Sequence, residues 1–369
     1  MKIAFYAPLK SPDHPVPSGD RLMARQLLAA LSLAGHEVEL ASTLRAFHGA
    51  PDADVSVFAA EAASEVERLT RQWQGEGAPD LWFCYHPYYK APDRLGPTLC
   101  RAFGIPYVTA EASYSNRRNL GLWAAFQGEV LEAVRLAAVN LCFTGRDQRG
   151  LSEAAPEASL ASIFPFIDPA PFLKRPPQPE PGRLVTVAMM RPGDKLMSYR
   201  ALARALKRIE HLPWRLTVIG DGPARNAAEA AFSLLDPARI DWRGEQKQAA
   251  VAEALSQSAL YLWPGHGEAY GLAYLEAQAA GLPVIAEAVA GVPEVVNDGQ
   301  TGLLTAPGDD EAYAEAIAAL LADPGQAARL GRAGRDFVRH ERSIEAAAAR
   351  LDCLLQEIVT RREGQHEQL

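Results

Sequence analysis

Short apolar runs alternate with amphipathic stretches of helical length along most of this sequence. At its start, KIAFYAP (2–8) is typical of a buried strand, residues 18–36 of an amphipathic helix that stops at Gly35, and EVELAS (37–42) of the next strand. A strand, a helix and a second strand in this order predict a parallel β-α-β unit. The chain is therefore expected to be an α/β protein whose parallel sheets are covered by helices on both faces.

The same alternation then continues in two series. The first series adds strands at 80–85, 105–110 and 138–144, with helices near 91–103 and 120–137. The second series has strands at 184–190, 216–222, 240–244, 260–265 and 283–288, with helices near 197–211, 224–235, 246–257, 271–280 and from 310 onward. Ligands of such sheets are expected at the carboxyl ends of the strands.

Length and proline content predict where the two series separate. At 369 residues, 48% of them hydrophobic, the chain is long enough for two domains. Residues 165–182, PFIDPAPFLKRPPQPEPG, contain seven prolines and can continue neither a helix nor a central strand. We therefore expect an N-terminal domain at 1–165, a linker at 166–182 and a second domain at 183–342, with the two doubly wound domains facing a cleft.

Charge and cysteine usage narrow the class of protein. The formal net charge of −8 argues against a general nucleic-acid binder, which needs clustered lysine and arginine. Cys84, Cys100, Cys142 and Cys353 lie far apart without metal-ligand spacing, so free thiols in a reducing compartment are expected. The start MKIAFYAP lacks the pattern of a secretory signal, and no apolar stretch approaches the roughly 20 residues of a spanning helix. These features predict a cytoplasmic protein, with peripheral membrane contact left open.

Two carboxylates stand eight positions apart in GHGEAYGLAYLEAQAAGLPVI. Glu268 precedes, and Glu276 follows, a predicted helix start near Gly271, and a helix N-terminus attracts anions such as phosphates. On a continuous helix their Cα atoms would be about 12 Å apart along the axis. The catalytic pair of a glycosidase needs carboxyls about 5 to 10 Å apart across one bond. We therefore expect the two acids to contact different parts of one elongated ligand.

The segment EAYGLAYLE (268–276) resembles the E-x-F-G-x-x-x-x-E signature of the retaining, nucleotide-sugar-dependent glycosyltransferases of family 4. Similar matches are AQAAGLPVIA and GVPEVVNDGQTGLL, which follow it, and VIGDGP (218–223), FPFIDPAPF (164–172) and LSLAGHEV (31–38) elsewhere. The resemblance implies the GT-B fold, in which two Rossmann-like doubly wound domains face a central cleft. It also implies that a C-terminal helix within 343–369 crosses back to the N-terminal domain.

The resemblance implies donor-binding roles in the second domain. Glu268 would bind hydroxyl groups of the transferred sugar and Glu276 those of the ribose, since one carboxylate can accept from two neighbouring hydroxyls. Further donor contacts are implied for Gly220, Gly244, Glu245, Gly271 and Leu272, of which Gly244 and Glu245 correspond to the nucleobase position. A lone glycine pair such as Gly220 and Gly222 is equally typical of an ordinary strand-to-helix turn.

In MMRPGDKLMSY (189–199), Arg191 and Lys195 match the arginine and lysine of the family's G-R-x-x-x-x-K-G motif, which clamp the pyrophosphate. The two glycines of that motif are Met190 and Leu196 here, so the local backbone departs from the pattern. Basic groups and a helix N-terminus can neutralise a diphosphate. We therefore expect no metal, no cofactor and metal-independent use of a nucleotide-diphosphate sugar.

The first domain offers weaker matches. Of the family's glycine pair near the first helix only Gly19 is present, and the neighbouring Asp20 is equally typical of a solvated loop residue or a helix cap. His86, in FCYHPYY, matches a histidine-rich region of the family at the end of a strand. Many relatives carry a histidine in P-x-V-x-T-x-H, whereas PYVTAEASY places Glu111 and Ala112 there. Glu111 could hydrogen-bond a sugar or orient the acceptor.

Arg117 and Arg118, in SYSNRRNLGLW, precede a predicted helix that begins with apolar residues. They could contact an anionic acceptor or a membrane surface, and they are equally typical of a solvated pair ahead of a core helix.

The predicted activity is transfer of a sugar, with retention of configuration, from a nucleotide-diphosphate sugar to a hydroxyl of a glycan, lipid-linked or small-molecule acceptor. The implied front-face route places Glu268, Arg191, Lys195 and His86 around the reaction and needs no protein nucleophile. Two alternatives stay open: a nucleotide-sugar epimerase or phosphorylase-like enzyme of the same architecture, and a non-catalytic sugar-nucleotide-binding protein. A dinucleotide-dependent dehydrogenase is disfavoured because no G-x-G-x-x-G follows the first strand.

Overall fold

The computed structural model describes residues 1–16, 18–52 and 56–366. Its internal contacts divide the chain into two compact units. Unit 1 comprises Met1–Phe164 together with the C-terminal helix from Ile344, and unit 2 comprises Pro165–Ser343. Each unit contains one six-stranded sheet in which the paired strands are parallel.

The sheet of unit 1 has the strand order β2-β1-β3-β4-β5-β6. Its strands are β1 (Lys2–Tyr6), β2 (Glu37–Ser42), β3 (Leu81–Tyr85), β4 (Tyr107–Ala110), β5 (Val139–Cys142) and β6 (Leu160–Ser162). The helices are α1 (Gly19–Leu33), α2 (Ser56–Glu76), α3 (Gly96–Phe103), α4 (Leu122–Leu136) and α5 (Gly145–Ala154). The central strands β3, β4 and β5 are buried along their whole length, as expected of a sheet covered on both faces.

The sheet of unit 2 has the order β12-β11-β10-β7-β8-β9. Its strands are β7 (Arg183–Val187), β8 (Arg215–Ile219), β9 (Ile240–Trp242), β10 (Leu260–Leu262), β11 (Val284–Glu287) and β12 (Gly302–Thr305). The helices are α6 (Ala170–Leu173), α7 (Asp194–Arg208), α8 (Arg225–Ala231), α9 (Gln248–Ser256), α10 (Leu272–Ala279), α11 (Asp310–Ala322) and α12 (Pro324–Glu341). The last helix, α13 (Ile344–His366), belongs to unit 1.

These elements confirm the predicted α/β class, and each predicted strand is present. Five of these strands and α-helices were not predicted: α2, α5, α6, β6 and β12. The short helix α6 lies within the proline-rich segment 165–182, where Pro169 and Pro171 stand at its start and so interrupt no helical hydrogen bond. The strands β6 and β12 are edge strands of three and four residues whose apolar side chains are only half-buried, so they carry little apolar signal. The helix predicted at 197–211 begins earlier, at Asp194, and this places Lys195 in its first turn.

Buried tyrosine hydroxyls fix the carboxyl end of the unit 2 sheet. Three of them donate a hydrogen bond to a main-chain carbonyl at or just beyond a strand end, and Tyr313 donates to one within β11. The four bonds, over 2.8 to 3.1 Å, are Tyr199 to Ala188, Tyr261 to Val187, Tyr274 to Trp263 and Tyr313 to Ile285. A buried tyrosine needs such a partner, because an unpaired hydroxyl in the core is costly. These bonds hold the loops that follow β7 and β10 against the core.

In unit 1, α13 packs on α1, and the His36 imidazole lies 3.5 Å from the Asp352 carboxylate. The four cysteines are free thiols as predicted, with Cys84, Cys100 and Cys142 buried and Cys353 exposed. Across the described ranges, none of the helices is both long enough and apolar enough to traverse a lipid bilayer.

Candidate functional site

The loop 263–271, between β10 and α10, is called here the glycine loop. Gly267 and Gly271 both have positive φ angles, +62° and +78°. A Cβ added at Gly271 would lie 2.6 Å from the Tyr274 ring, and one at Gly267 would overlap the Asp194 carboxylate. Both positions therefore require glycine for backbone conformation and for space. The loop is consequently pressed against α10 on one side and the start of α7 on the other.

This packing brings two predicted site residues from distant segments together. The Lys195 ammonium, in the first turn of α7, forms an ion pair and hydrogen bond with the Glu268 carboxylate on the glycine loop. Trp263 Nε1 donates to the same carboxylate oxygen, Oε2, over 3.3 Å. The ammonium also lies 5.5 Å from the centroid of the Trp263 ring, within the range of a cation–π contact. Only 24% of the Lys195 side chain and 17% of the Glu268 side chain are exposed, so the pair is partly withdrawn from water.

A hydrogen-bond chain ties the glycine loop to α7. The main-chain N–H of His266 donates to Ser198 Oγ over 2.9 Å, and Ser198 Oγ donates to the Asp194 carbonyl over 3.0 Å. The N-cap of α7 is Gly193, and it makes no side-chain cap. The first turn of α7 therefore keeps main-chain N–H groups that no capping side chain occupies.

Arg191 lies at the surface just after β7, and its carbonyl accepts from Leu196 N–H over 3.2 Å. Met190, which replaces a glycine of the family motif, is 1% exposed, and its N–H donates to the Asp221 carbonyl over 2.9 Å. The departure from the motif thus places an apolar side chain in the core, with Arg191 next to it in sequence and exposed.

Glu276 lies in the second turn of α10, where it is half-buried. Among the residues the structure describes, no hydrogen bond or ion pair to its carboxylate is found. Burial raises the pKa of Glu276 to about 7. A partly buried carboxylate of this kind destabilises the fold at neutral pH, and carboxylates with perturbed pKa values are concentrated at functional sites.

Gly220 and Gly222 have a structural explanation of their own. Their φ angles are +140° and +151°, and a Cβ at either would overlap the carbonyl of Ala188 or Met190, respectively. The main chain after β7 therefore passes directly over them. Gly244, whose carbonyl accepts from Gly220 N–H over 2.8 Å, adjoins the same turn.

Of the remaining donor candidates, Glu245 is exposed, and Leu272 is the first residue of α10 and is buried. Gly271 is the N-cap of that helix, again without a side-chain cap.

Unit 1 gathers a second group of candidates at the carboxyl ends of its strands. His86 follows β3 and Glu111 follows β4, while Asp20 and Asp147 lie in the first turns of α1 and α5. We call these four residues the His86 cluster. His86 Nδ1 lies 3.3 Å from Asp20 Oδ1. Thus Asp20, predicted as a cap or loop residue, contacts a site candidate, and the N-cap of α1 is Ser18.

The main chain of the cluster is strained at two positions. His86 has a φ of +59° and Glu111 a φ of +58°, in the left-handed region that residues other than glycine rarely adopt. Strand-end hydrogen bonds hold both: His86 N–H donates to the Ala110 carbonyl over 2.8 Å, and Glu111 N–H to the Leu141 carbonyl over 2.9 Å. Strain of this kind is concentrated at functional sites.

The charges of the cluster perturb one another. Burial opposes protonation of His86, but the carboxylates of Glu111, Asp20 and Asp147 outweigh it and raise the pKa of His86 to about 9. Burial, helped by Asp20 and Asp147 and opposed by His86, raises the pKa of Glu111 to about 7. The pKa of Asp20 is lowered, because the hydrogen bond and charge of His86 outweigh burial. One cationic imidazole thus stands among three acids, one of which titrates near neutrality.

The other candidates of unit 1 are less tightly held. A Cβ added at Gly19, the first residue of α1, would meet no atom within 4 Å. Arg117 and Arg118 end a short 3₁₀ helix and are exposed. The Arg118 guanidinium lies 5.7 Å from the centroid of the Tyr89 ring, and Arg117 lines an open cavity of about 700 Å³.

Several residues of these sites were missed by sequence reasoning. Trp263 ends the apolar run LYLW and reads as strand core, and Asp147 lies in a helix that was not predicted. His266 and Glu287 carry no motif of their own. Across the described ranges, no three His, Cys, Asp or Glu side chains are grouped so that they could hold a metal ion.

Comparison with known proteins gives consistent matches. A sequence profile of the family described as "Glycosyl transferases group 1" matches residues 181–323. The D-inositol 3-phosphate glycosyltransferase of Frankia alni is 28% identical over 290 residues, which cover 70% of this chain and 70% of that enzyme. The N-acetyl-alpha-D-glucosaminyl L-malate synthase of Bacillus anthracis is 25% identical over 264 residues, covering 68% of this chain and 66% of that enzyme.

Solved structures share the fold over nearly the whole chain. The sucrose-phosphate synthase of Thermosynechococcus elongatus superposes with a TM-score of 0.73 at 20% identity, covering 98% of this chain and 99% of that one. HepE of Anabaena in complex with UDP-glucose superposes with a TM-score of 0.66 at 14% identity, covering 99% of this chain and 100% of that one. At these identities the structural likeness speaks for the fold alone.

Proposed function

We propose that this glycosyltransferase, which has the GT-B fold and matches the glycosyl transferases group 1 over residues 181–323, is a retaining enzyme that uses a nucleotide-diphosphate sugar. The proposal places donor binding in unit 2 and acceptor binding in unit 1. It rests on the chemistry of the two side-chain groups described above.

The ion pair of Lys195 and Glu268 carries the donor assignment. It lies where the N-termini of α7 and α10 both lack a side-chain cap, so main-chain N–H groups and a lysine are offered at one place. Helix N-termini and lysine favour phosphate oxygens. Glu268 is thereby committed to an ion pair, which suits a hydrogen-bonding role toward sugar hydroxyls better than that of a nucleophile.

Glu276 supplies the other end of the proposed donor site. Its unpaired carboxylate can accept hydrogen bonds from both hydroxyls of a ribose, which would restore the solvation that burial removes. Arg191, exposed next to α7, would add positive charge to the diphosphate. Because cationic side chains and helix N-termini supply this charge, the proposal includes metal-independent donor binding.

The His86 cluster is proposed to handle the acceptor. Carboxylates such as Asp20 and Glu111 accept hydrogen bonds from hydroxyl groups, and Glu111, with a pKa raised to about 7, can also donate one when protonated. The strained backbone at His86 and Glu111 fixes the direction of both side chains. A hydroxylated acceptor, whether a glycan, a lipid-linked sugar or a small polyol, suits this chemistry.

The proposed reaction follows from these roles. The bond between the anomeric carbon and the diphosphate oxygen breaks, and the electron pair stays on the diphosphate, where Lys195 and the helix N-termini stabilise it. The acceptor hydroxyl oxygen bonds to the same face of the anomeric carbon, and its proton passes to the departing phosphate oxygen. Configuration is thereby retained. We place the reaction in the cytoplasm as part of this proposal, because the buried cysteines are free thiols, which suits a reducing compartment.

A thermal-shift screen of uridine, guanosine and adenosine diphosphate sugars tests donor binding, because a ligand of the folded state raises the melting temperature. UDP-glucose comes first, since it is the ligand named for the HepE structure. The stabilising donor is then incubated with a panel of polyol, glycan and lipid-linked acceptors. The anomeric configuration of the product is read from its proton NMR coupling constants.

Glu268→Gln is the decisive variant, because it keeps the size of the side chain and removes its charge. We expect transfer to fall about a hundredfold while the donor still raises the melting temperature. Glu253→Gln, on the exposed surface of α9, serves as the matched control and should transfer as the wild type does. Unchanged transfer in Glu268→Gln, or an inverted product, would contradict the proposal.

A further inference from the structure

Glu287, at the end of β11, is a buried carboxylate that the proposed reaction does not use. Its side chain is 1% exposed, and its main-chain N–H donates to the Pro264 carbonyl in the glycine loop over 2.9 Å. Its Oε2 atom has no hydrogen-bond partner among the described residues. A buried carboxylate oxygen without a partner is costly, so its retention calls for an explanation.

The group that Glu287 Oε2 faces is the imidazole of His266, whose Nδ1 lies 3.9 Å away. His266 is the only residue of the Gly-His-Gly triplet 265–267 that has a side chain. Its two glycine neighbours have positive φ angles of +88° and +62°, and glycine resists backbone rearrangement least of all residues. The contact with Glu287 is therefore the one side-chain anchor available to this part of the loop.

The position of His266 determines the arrangement of the proposed donor residues. Its main-chain N–H bonds Ser198 on α7, and Glu268 follows it by two residues. A shift of His266 would move Glu268 relative to Lys195. Glu287 is therefore connected to the Lys195–Glu268 ion pair through the His266 imidazole. From His266, the chain leads through Gly267 to Glu268, and the main-chain hydrogen bond to Ser198 leads to α7, which carries Lys195.

The other charged groups around Glu287 largely offset one another. Burial is the main cause that raises the pKa of Glu287; Asp310, at the start of α11, raises it further, while His266 and Arg204 of α7 lower it. Arg204 and Asp310 are themselves paired, with Nη2 and Oδ1 3.1 Å apart. Tyr274 and Tyr313 also lie close enough to sense the charge of Glu287. Of the groups facing it, His266 is the one that belongs to the glycine loop.

We propose that Glu287 is a positioning residue of the donor site and that, acting through the His266 imidazole, it holds the glycine loop in the arrangement that pairs Glu268 with Lys195. The part of this statement that concerns the donor rests on the proposed function. The part that concerns the loop does not, and it can be tested without any substrate.

The substrate-free test uses fluorine NMR of protein labelled with 5-fluorotryptophan. The chain has six tryptophans, and the Trp263 resonance is assigned by its loss in Trp263→Phe. Because Trp263 bonds Glu268 and lies by Lys195, its resonance reports the geometry of the pair. We expect Glu287→Gln and His266→Asn to shift this resonance and to leave the Trp73 and Trp82 resonances of unit 1 in place.

The kinetic test is a double-mutant cycle with whichever donor the wild type uses. Glu287→Gln and His266→Asn should each lower kcat/KM about tenfold, and the double variant should lose no more than either alone, because both break one contact. Glu253→Gln is again the matched control, and circular dichroism checks that each variant is folded. A merely structural role predicts additive losses in the cycle.

The outcomes separate the two proposals. If the wild type uses no nucleotide sugar but the Trp263 resonance responds as expected, the proposed function fails and the positioning role stands. An unmoved Trp263 resonance in folded Glu287→Gln, or additive losses in the cycle, would overturn the positioning role whatever the activity.

Discussion

The two candidate sites treat their helix N-termini in opposite ways. In unit 1, α1 and α5 flank the His86 cluster, and the side chains of Ser18 and Thr144 cap them by accepting from the main-chain N–H three residues on. In unit 2, α7 and α10 begin at Gly193 and Gly271 and have no side-chain cap. A side-chain cap occupies one of the free main-chain donors of a helix terminus, whereas an uncapped terminus leaves that donor position without a side chain and so more open to an anion. Units with the same fold can therefore differ in which one suits a diphosphate.

The charged side chains of the two sites also favour phosphate binding in unit 2 rather than in unit 1. Unit 2 pairs Lys195 with Glu268 beside the uncapped helix ends, and within the part of the chain that the structure describes the Glu276 carboxylate has no hydrogen-bond or ion-pair partner. Unit 1 sets three carboxylates around His86. Surplus acid repels phosphate and accepts hydrogen bonds from hydroxyls, so the contrast favours a donor in unit 2 and a hydroxylated acceptor in unit 1.

Among the variants considered, we expect the largest loss of activity when the charge of Lys195 in the unit 2 site is reversed. In Lys195→Glu a second acid faces Glu268 at the start of α7, so both the ion pair and the proposed contact with phosphate are lost. We expect transfer to fall by at least about a hundredfold and the donor-induced rise in melting temperature to disappear. Lys207→Glu, near the other end of the same helix, is the control and should keep both. A persisting donor shift in Lys195→Glu would rule out the proposed phosphate role.

The next largest effect is expected from Glu276→Gln. Burial raises the pKa of Glu276 to about 7 from an ordinary value near 4.5, so the folded state favours the neutral form. Stability is therefore lost as pH rises from about 4.5 to 7, and at pH 8 a neutral glutamine should raise the free energy of unfolding by up to about 3 kcal/mol. Urea unfolding measures this gain.

The same variant should weaken donor binding about tenfold, because an amide replaces a charged acceptor for the ribose hydroxyls. Greater stability together with weaker binding would mark Glu276 as a residue kept for its ligand. Glu315→Gln, exposed on α11, should change neither quantity. If Glu276→Gln binds the donor as the wild type does, the ribose assignment is wrong.

The dependence of the free energy of unfolding on pH tests the charges of the His86 cluster in unit 1. The pKa of His86 is raised to about 9, so the folded state holds this proton more tightly than the unfolded chain does. Its contribution to stability is fully present below about pH 6.5 and is lost as the pH rises through 9. His86→Gln should therefore remove about 2 kcal/mol of the decline between pH 6.5 and 9, after allowance for water around the partly exposed Asp20. Equal slopes in wild type and variant would contradict the cluster as described.

The burial of each strand and helix explains which of them the sequence could predict. Periodicity identified the buried central strands, because burial on both faces leaves continuous apolar runs such as LWFCY in β3. It missed β6 and β12, which are short edge strands whose apolar side chains are only half-buried. The helix α5 was missed because its segment GRDQRGLSEA is mostly polar, and Asp147 was missed with it.

For the candidate sites, the sequence likewise indicated residues that stand in local motifs and missed contacts between distant segments. Glu268, Glu276, Arg191 and Lys195 stand in contiguous motifs, so their residue types and spacing were readable. The contact of Lys195 with Glu268 spans 73 positions and depends on how α7 meets the glycine loop, which no local pattern encodes. The roles of Asp20 and Glu287 likewise depend on partners from other elements, His86 and His266.

The smallest effect is expected where unit 1 caps its own helix. Thr144 Oγ1 accepts from Asp147 N–H over 3.1 Å and donates to the Asp147 carboxylate over 2.6 Å, so it both caps α5 and holds one acid of the His86 cluster. Thr144→Ala should lower the free energy of unfolding by about 1 kcal/mol. Thr144→Ser keeps the hydroxyl and should restore most of it. If the alanine variant also leaves the pKa of His86, followed by NMR titration, at its wild-type value, then the cap serves the helix alone; a shifted pKa shows that capping in unit 1 also sets the charge of the cluster.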